Sequence, residues 1–298
     1  MIVKPNLFIV GAQKCGTTAM HIYLGQHPDI FMSEIKEPHF FSTDLKEPNS
    51  ITDEKEYLFL FKKANGKKII GESSVWYLYS ENAPENIKRV SPNAKIIIML
   101  RNPVELVYSM HSQALIEGYE DIENFEDALN AEKDRLKELR IPESSYTPYI
   151  FYNKATKYAE FVKKYFDIFG RENVQVIIFD DFKKDTSLVY EETCRFLEVD
   201  ISFKPKFPII NLNKQLKNRY LRDFFEKKTP WPFSLFKKIL PLSWRSYLGR
   251  IISPIYVNYG KQPPLDEQLR IKLQEKYKFE VEKLSKLLNR DLVSLWCT

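Results

Sequence analysis

Glycine is scarce in this 298-residue chain, at 9 residues, which argues against flexible low-complexity linkers. Histidine is scarcer still, at 4. His21, His27, His39 and His111 form neither an H-x3-H nor an H-E-x2-H pair, so no metal site is expected. The three cysteines, Cys15, Cys194 and Cys297, make no paired framework and have no metal-ligand spacing, which suits a reducing compartment. The longest apolar runs, 7–12 and 96–100, are far too short to span a bilayer. The opening Met1-Ile2-Val3-Lys4-Pro5 lacks the layout of a signal peptide. These absences set the expectation of a soluble, cytoplasmic protein.

What is present is ordinary globular material: 44% hydrophobic and 29% charged residues, enough for a full core and too apolar for a disordered chain. A net charge of +5 is too mild to imply a nucleic-acid partner. Its distribution says more. Residues 214–261 hold 11 Lys and Arg against 2 Asp and Glu, so the remainder of the chain is net acidic. Residues 117–143 carry 10 acidic and 4 basic side chains and read as a solvated, water-facing helix.

The apolar run at 6–10 ends at Gly11, as a strand buried on both faces would. A helix is expected over 17–26, stopped before His27-Pro28. Further buried strands are expected at 93–100 and 173–179, with a fourth at 69–72. Helices are expected from Val104, over 155–169 up to Gly170, and over 186–197. A long charged helix is expected at 265–288. Strands alternating with helices mean a parallel sheet covered on both sides. The expected fold is therefore α/β, one domain over 1–298 with a central parallel sheet flanked by helices. A basic, aromatic-rich segment at about 214–264 would cap it.

Gly11-Ala12-Gln13-Lys14-Cys15-Gly16-Thr17-Thr18 lies between the first strand and the first helix. There a glycine-bracketed turn can aim backbone N–H groups and a helix N-terminus at an anion. The spacing matches the front of a Walker A loop, but Thr17 stands where that motif has its Lys, and Lys14 lies inside the loop. A Lys at that place would reach a group attached to a single 5′-phosphate. Arg101 leaves the end of the 96–100 strand, where open α/β sheets bind ligands. Its guanidinium can grip a phosphate bidentately, and Ser109, on the next helix, offers a hydroxyl. Together these make a site with two anionic ends, as a 3′,5′-bisphosphorylated nucleotide requires. Cys15, beside Lys14 at a helix start, has no Cys-His-Asp order around it that would make it a nucleophile.

Lys14-Cys15-Gly16-Thr17-Thr18 resembles the 5′-phosphosulfate loop of sulfotransferases that use 3′-phosphoadenosine 5′-phosphosulfate (PAPS). The likeness is to the carbohydrate type, which includes heparan sulfate enzymes and bacterial relatives. Arg101-Asn102-Pro103, with Ser109 eight residues after the arginine, is similar to that family's 3′-phosphate block. Lys36-Glu37-Pro38-His39-Phe40-Phe41 resembles the segment bearing its catalytic carboxylate. Tyr165-Phe166, Phe179-Asp180-Asp181-Phe182 and Leu288-Asn289-Arg290-Asp291-Leu292 are further echoes. The resemblance implies a P-loop-like phosphosulfate site with Lys14, Cys15, Gly16, Thr17 and Thr18 around the 5′-phosphate. It also implies Arg101, Ser109 and, from a basic closing segment, Arg219 on the 3′-phosphate. Glu37 would be the base, Lys14 would stabilise charge, and His39 would orient the acceptor or carry a proton.

The chain departs from the family at 71–77. Ser73 stands where heparan sulfate enzymes have a Lys in a Lys-Thr/Ser-Pro pattern, so a cation is missing, and Ser73 or Ser74 would hydrogen-bond the acceptor instead. The expected reaction moves a sulfuryl group from PAPS to a hydroxyl or amine and leaves PAP, the bisphosphate product, without a metal. The expected acceptor is a carbohydrate or glycolipid. A P-loop nucleotide kinase or NTPase, and a non-catalytic binder of PAP or sulfated ligands, are the alternatives. Segment 214–261 would roof the nucleotide and edge the acceptor site, or else rest on a membrane surface.

Overall fold

A computed structural model describes residues 3–45, 47, 50–142, 147–210, 214–226, 254–260 and 263–297. Five segments form strands: β1 (Leu7–Gly11), β2 (Ile30–Met32), β3 (Ile69–Ser73), β4 (Lys95–Leu100) and β5 (Val174–Ile178). They make one sheet in the order β2-β3-β1-β4-β5, parallel throughout. Central β1 is buried at every residue, and β4 at every residue but Lys95. Neither has a polar alternation to offer water, so both need cover on two faces. Ile9 lies opposite Ser73 on one side and Ile97 on the other.

The connections hold α1 (Thr17–Leu24), α2 (Glu54–Phe59), α3 (Ala83–Val90), α4 (Pro103–Glu117) and α5 (Phe125–Arg135). Beyond them come α6 (Tyr152–Ala155), α7 (Tyr158–Phe169), α8 (Phe179–Lys184) and α9 (Thr186–Phe196). Helix starts follow their caps: Asp53 accepts from Glu56 N–H at 2.8 Å, and Asp185 from Leu188 N–H at 2.9 Å. Gly170, at φ 81°, ends α7. α3 packs on α7, and α1 on α9.

The α/β fold is the expected one, with local differences. β2 was not foreseen; three residues are too few to show a period. α1 stops at Leu24, where Gly25 N–H closes the last turn on His21 O and His27 N–H turns back to Leu24 O. The stretch 155–169 is two helices, because the Thr156 hydroxyl donates to Asn153 O at 2.9 Å and ends α6.

Contacts group the chain into two compact units. The first, Met1–Val107, Asn153–Asn211 and Arg270–Thr298, holds the whole five-stranded sheet. Its last stretch carries most of α11 (Glu267–Leu288) and all of α12 (Val293–Trp296). The second comprises Tyr108–Tyr152 and Leu212–Leu269. Here β6 (Lys214–Leu216) and β7 (Val257–Tyr259) pair antiparallel, and α10 (Arg219–Glu226) follows β6. Residues 227–253, the greater part of the basic cap segment, lie outside the described residues.

The second unit corrects the reading of the acidic run as wholly water-facing. Glu120 and Glu132 are buried. Glu120 Oε1 accepts from Arg135 Nη2 at 2.7 Å, and Oε2 accepts from Arg135 Nη1 and the Tyr152 hydroxyl, each at 2.8 Å. A guanidinium fork and a phenol replace the hydrogen bonds to water that a buried carboxylate loses.

Candidate active site

The glycine-bracketed loop 11–18 leaves the carboxyl end of β1. Its two glycines are required for different reasons. Gly11 has φ 143°, and a Cβ there would stand 2.7 Å from the Val75 carbonyl oxygen. Gly16 has φ 87°, and a Cβ there would stand 2.8 Å from the Phe179 ring. Both positions exclude a side chain by conformation and by contact. Gly16 is also the N-cap of α1, and no side chain caps the helix, which leaves its first-turn N–H groups for an anion. Gln13 is buried, and its Nε2 has no hydrogen-bond partner among the described residues. An orphaned buried donor inside such a loop fits a phosphate or sulfate acceptor.

Cys15 is fully buried with its thiol directed to Gln13 O at 3.3 Å. Burial pushes the thiol up to about 12, which outweighs the lowering by Arg101 and Lys14. It is a packing residue of the loop and no nucleophile.

Arg101 follows β4, the neighbour of β1, and its side chain turns toward the loop: Nη1 donates to Lys14 O at 3.1 Å. Phe179, first residue after β5, lies under the guanidinium at 5.3 Å. Nη2 reaches Glu105 Oε2 at 3.4 Å, and the Arg101 carbonyl accepts from the Tyr158 hydroxyl at 3.1 Å. The loop after β1 and the cation after β4 thus meet where the strand order reverses, the switch point at which open α/β sheets bind ligands.

On the other side of β1, the chain after β2 lies along the end of β3. Glu37 N–H donates to Ser73 O at 2.8 Å. Glu37 and His39 adopt the left-handed region, φ 62° and 51°, which aims their side chains at each other: His39 Nε2 lies 3.3 Å from Glu37 Oε2. That oxygen also accepts Val75 N–H at 2.8 Å, while Oε1 pairs with Lys36. Burial lowers His39 to about 4, with Lys36 reinforcing and Glu37 opposing. The ring is therefore neutral at physiological pH, and its Nδ1 has no partner among the described residues.

Ser73 and Ser74, expected to hydrogen-bond the acceptor, are instead fully buried. Ser73 Oγ lies 2.8 Å from His21 Nδ1. Ser74 Oγ accepts His39 N–H at 3.1 Å and donates to Glu72 Oε2 at 2.8 Å. Glu72 also takes the hydroxyls of Tyr57 and Tyr77, at 2.9 and 2.8 Å. The Tyr77 oxygen accepts Phe41 N–H at 3.3 Å. The hydroxyls hold the 37–41 turn in place; burial leaves them no surface for a substrate. Glu72 is the hub, and burial pushes its carboxyl up to about 7 against those three hydrogen bonds.

Thr17 is buried and Thr18 half-buried at the start of α1. Ser109 and Arg219 belong to the second unit. Ser109 is buried on α4; Arg219 donates to Asp121 O at 3.0 Å and lies 3.8 Å from Asp223. Sequence reasoning gave no role to Lys36, which lies within the 36–41 motif, to Glu72, or to Glu105, four positions after Arg101. Among the described residues, no His, Cys, Asp and Glu gather in a group that could hold a metal ion, and no helix is long and apolar enough to cross a membrane.

Comparison with known proteins puts this arrangement in a family context. The sulfotransferase domain profile matches residues 4–248. A solved sulfotransferase from Alicyclobacillus acidocaldarius superposes with a TM-score of 0.75 at 29% identity, covering 100% of both chains. Bifunctional heparan sulfate N-deacetylase/N-sulfotransferase 1 of Caenorhabditis briggsae is 25% identical over 216 residues, 68% of this chain and 23% of its own length. Carbohydrate sulfotransferase 15 of Homo sapiens is 30% identical over 147 residues, 35% of this chain and 26% of its own. The chain thus matches about a quarter of the length of these curated relatives.

Proposed function

The chain belongs to the sulfotransferase family, and we propose that it transfers the sulfuryl group of PAPS to a hydroxyl or amine with Glu37 as general base. The observation that carries this reading is the convergence of Arg101 on the Lys14 carbonyl at the switch point. One cation and one amide-rich loop there match the two anionic ends of a bisphosphorylated nucleotide. PAPS supplies an activated sulfuryl group and a phosphate leaving group.

The chain's own residues supply the rest. Lys14, Gly16, Thr17 and Thr18 bind the 5′-phosphate, and Lys14 balances the charge that grows on it. Arg101 binds the 3′-phosphate, and the motif's spacing adds Ser109. Glu37, partly exposed, takes the proton of the attacking group as the new bond to sulfur forms and the bond to the phosphate breaks. Its backbone N–H to Ser73, its contact with Val75 N–H and neutral His39 fix the carboxylate.

The acceptor we favour is a carbohydrate, in line with the substrates in the printed names of the two curated relatives. Incubation with PAPS labelled in the sulfuryl group and a panel of glycans, phenols and small alcohols tests the activity. Thermal-shift titration separates the nucleotide reading from a kinase: PAP stabilises the protein and ATP with magnesium does not. Stabilisation by ATP and magnesium alone would overturn it.

A further inference from the structure

The reading of Arg101 as a phosphate ligand leaves a second arginine in the first unit unexplained. Glu105, in the first turn of α4, is shared between two guanidinium groups. Its Oε2 lies 3.4 Å from Arg101 Nη2, and its Oε1 lies 2.8 Å from Arg270 Nη1. Arg270 lies in α11, outside the 4–248 matched by the family profile. The tail that carries it is fastened to the same strand ends. Arg290 forks onto Asp181, Trp296 Nε1 donates to Asp180 Oδ2 at 2.9 Å, and Asn102 Nδ2 donates to Trp296 O at 3.2 Å. Asp180 and Asp181 follow Phe179, the ring beneath Arg101 and against Gly16.

A lone carboxylate beside Arg101 would do two opposing things. It would orient the guanidinium, and it would compete with an incoming phosphate for it while repelling that phosphate. The second cation removes the conflict. Arg270 makes the shorter contact, so Glu105 keeps a partner when Arg101 turns to an anion, and its charge toward the site is balanced from the far side.

We propose that Arg270 is a positioning residue for nucleotide binding, which lets Glu105 aim Arg101 without withholding it from a phosphate. This rests on the reading of Arg101 given above. All three side chains are partly exposed, so the effect is that of a half-screened charge contact.

The test is PAP titration of the full chain by calorimetry at two salt concentrations. The variants are Arg270→Ala, Arg270→Lys, Glu105→Gln and the double Arg270→Ala/Glu105→Gln. Arg270→Ala should weaken PAP about fivefold, because a bare carboxylate then faces the phosphate. Arg270→Lys should stay within about twofold. The double variant should bind more tightly than Arg270→Ala, a rescue that a merely structural role for Arg270 would not produce. Wild-type affinity in Arg270→Ala, or a double variant as weak as Arg270→Ala, overturns the proposal alone. A wild-type chain that does not bind PAP overturns the reading of Arg101 and this proposal with it.

Discussion

At the scale of single residues, Glu37, proposed as the base, and Glu72, the hub beside it, make separable predictions. Glu37→Gln keeps the shape of the side chain and removes the proton acceptor. Sulfuryl transfer should fall to background while PAP affinity stays at the wild-type value, since the amide can still accept Val75 N–H and leaves the turn in place. Retained turnover in that variant would remove Glu37 from the mechanism. Glu72 predicts a pH effect on stability. Its carboxyl is raised from 4.5 to about 7 in the folded chain, so between those values the folded state holds a proton that the unfolded state has lost. Its contribution therefore favours folding below about 4.5 and is lost as pH rises through 7. His21 and His39, lowered from 6.5 to about 4 by burial, act in the opposite sense: their contribution is present above 6.5 and is lost as pH falls toward 4. Thermal melts of Glu72→Gln should accordingly gain on wild type as pH rises from 5 to 8. A constant difference across that range would show that Glu72 ionises normally.

At the scale of elements, the loop between β1 and α1 predicts that Gly16→Ala is not a mild change. The added methyl meets the Phe179 ring at 2.8 Å, and φ 87° is left-handed. A loss of about 1–3 kcal/mol is expected from strain of this kind, together with weakened PAP binding, both readable from denaturant melts with and without PAP. Buried Glu120 predicts a larger effect in the second unit: Glu120→Ala strands Arg135 in the core and should cost about 3–5 kcal/mol. Double replacement of Glu120 and Arg135 by apolar residues should recover part of it. These elements also show what was legible in the sequence. β1 and β4 were readable because unbroken apolar runs ending at a glycine or an arginine admit few other structures; β5 was readable because Gln175 is the one polar residue in its run. The turn between β1 and α1 was readable because Gly11 and Gly16 stand between an apolar run and a helix start. The inward turn of Ser73 and Ser74 was not, since it depends on His21 and Glu72, and a serine at a strand end carries no sign of its direction. Nor was the burial of Glu120, whose partners Arg135 and Tyr152 are 15 and 32 residues further on.

At the scale of the whole molecule, charge is unevenly placed. The basic segment 214–261 contrasts in sequence with a remainder that is net acidic, and an anionic acceptor would be drawn to such a segment. Reversing charge at Lys227, Lys228, Lys237 and Lys238 should raise the acceptor KM and reduce its salt dependence, with PAP affinity in the same variant as the control. If KM and salt dependence both stay unchanged, these lysines are solvated surface and the docking role falls.

The strand order has an evolutionary consequence. The residues proposed to hold the nucleotide leave β1 and β4, while the proposed base and its supports leave β2 and β3 on the other side of β1. On the proposed assignment, donor and acceptor chemistry occupy different halves of one edge. Changes that retune the acceptor can accumulate after β2 and β3 while the nucleotide half stays under a fixed constraint. A lineage built on this sheet can diversify its products and still draw on one sulfuryl donor.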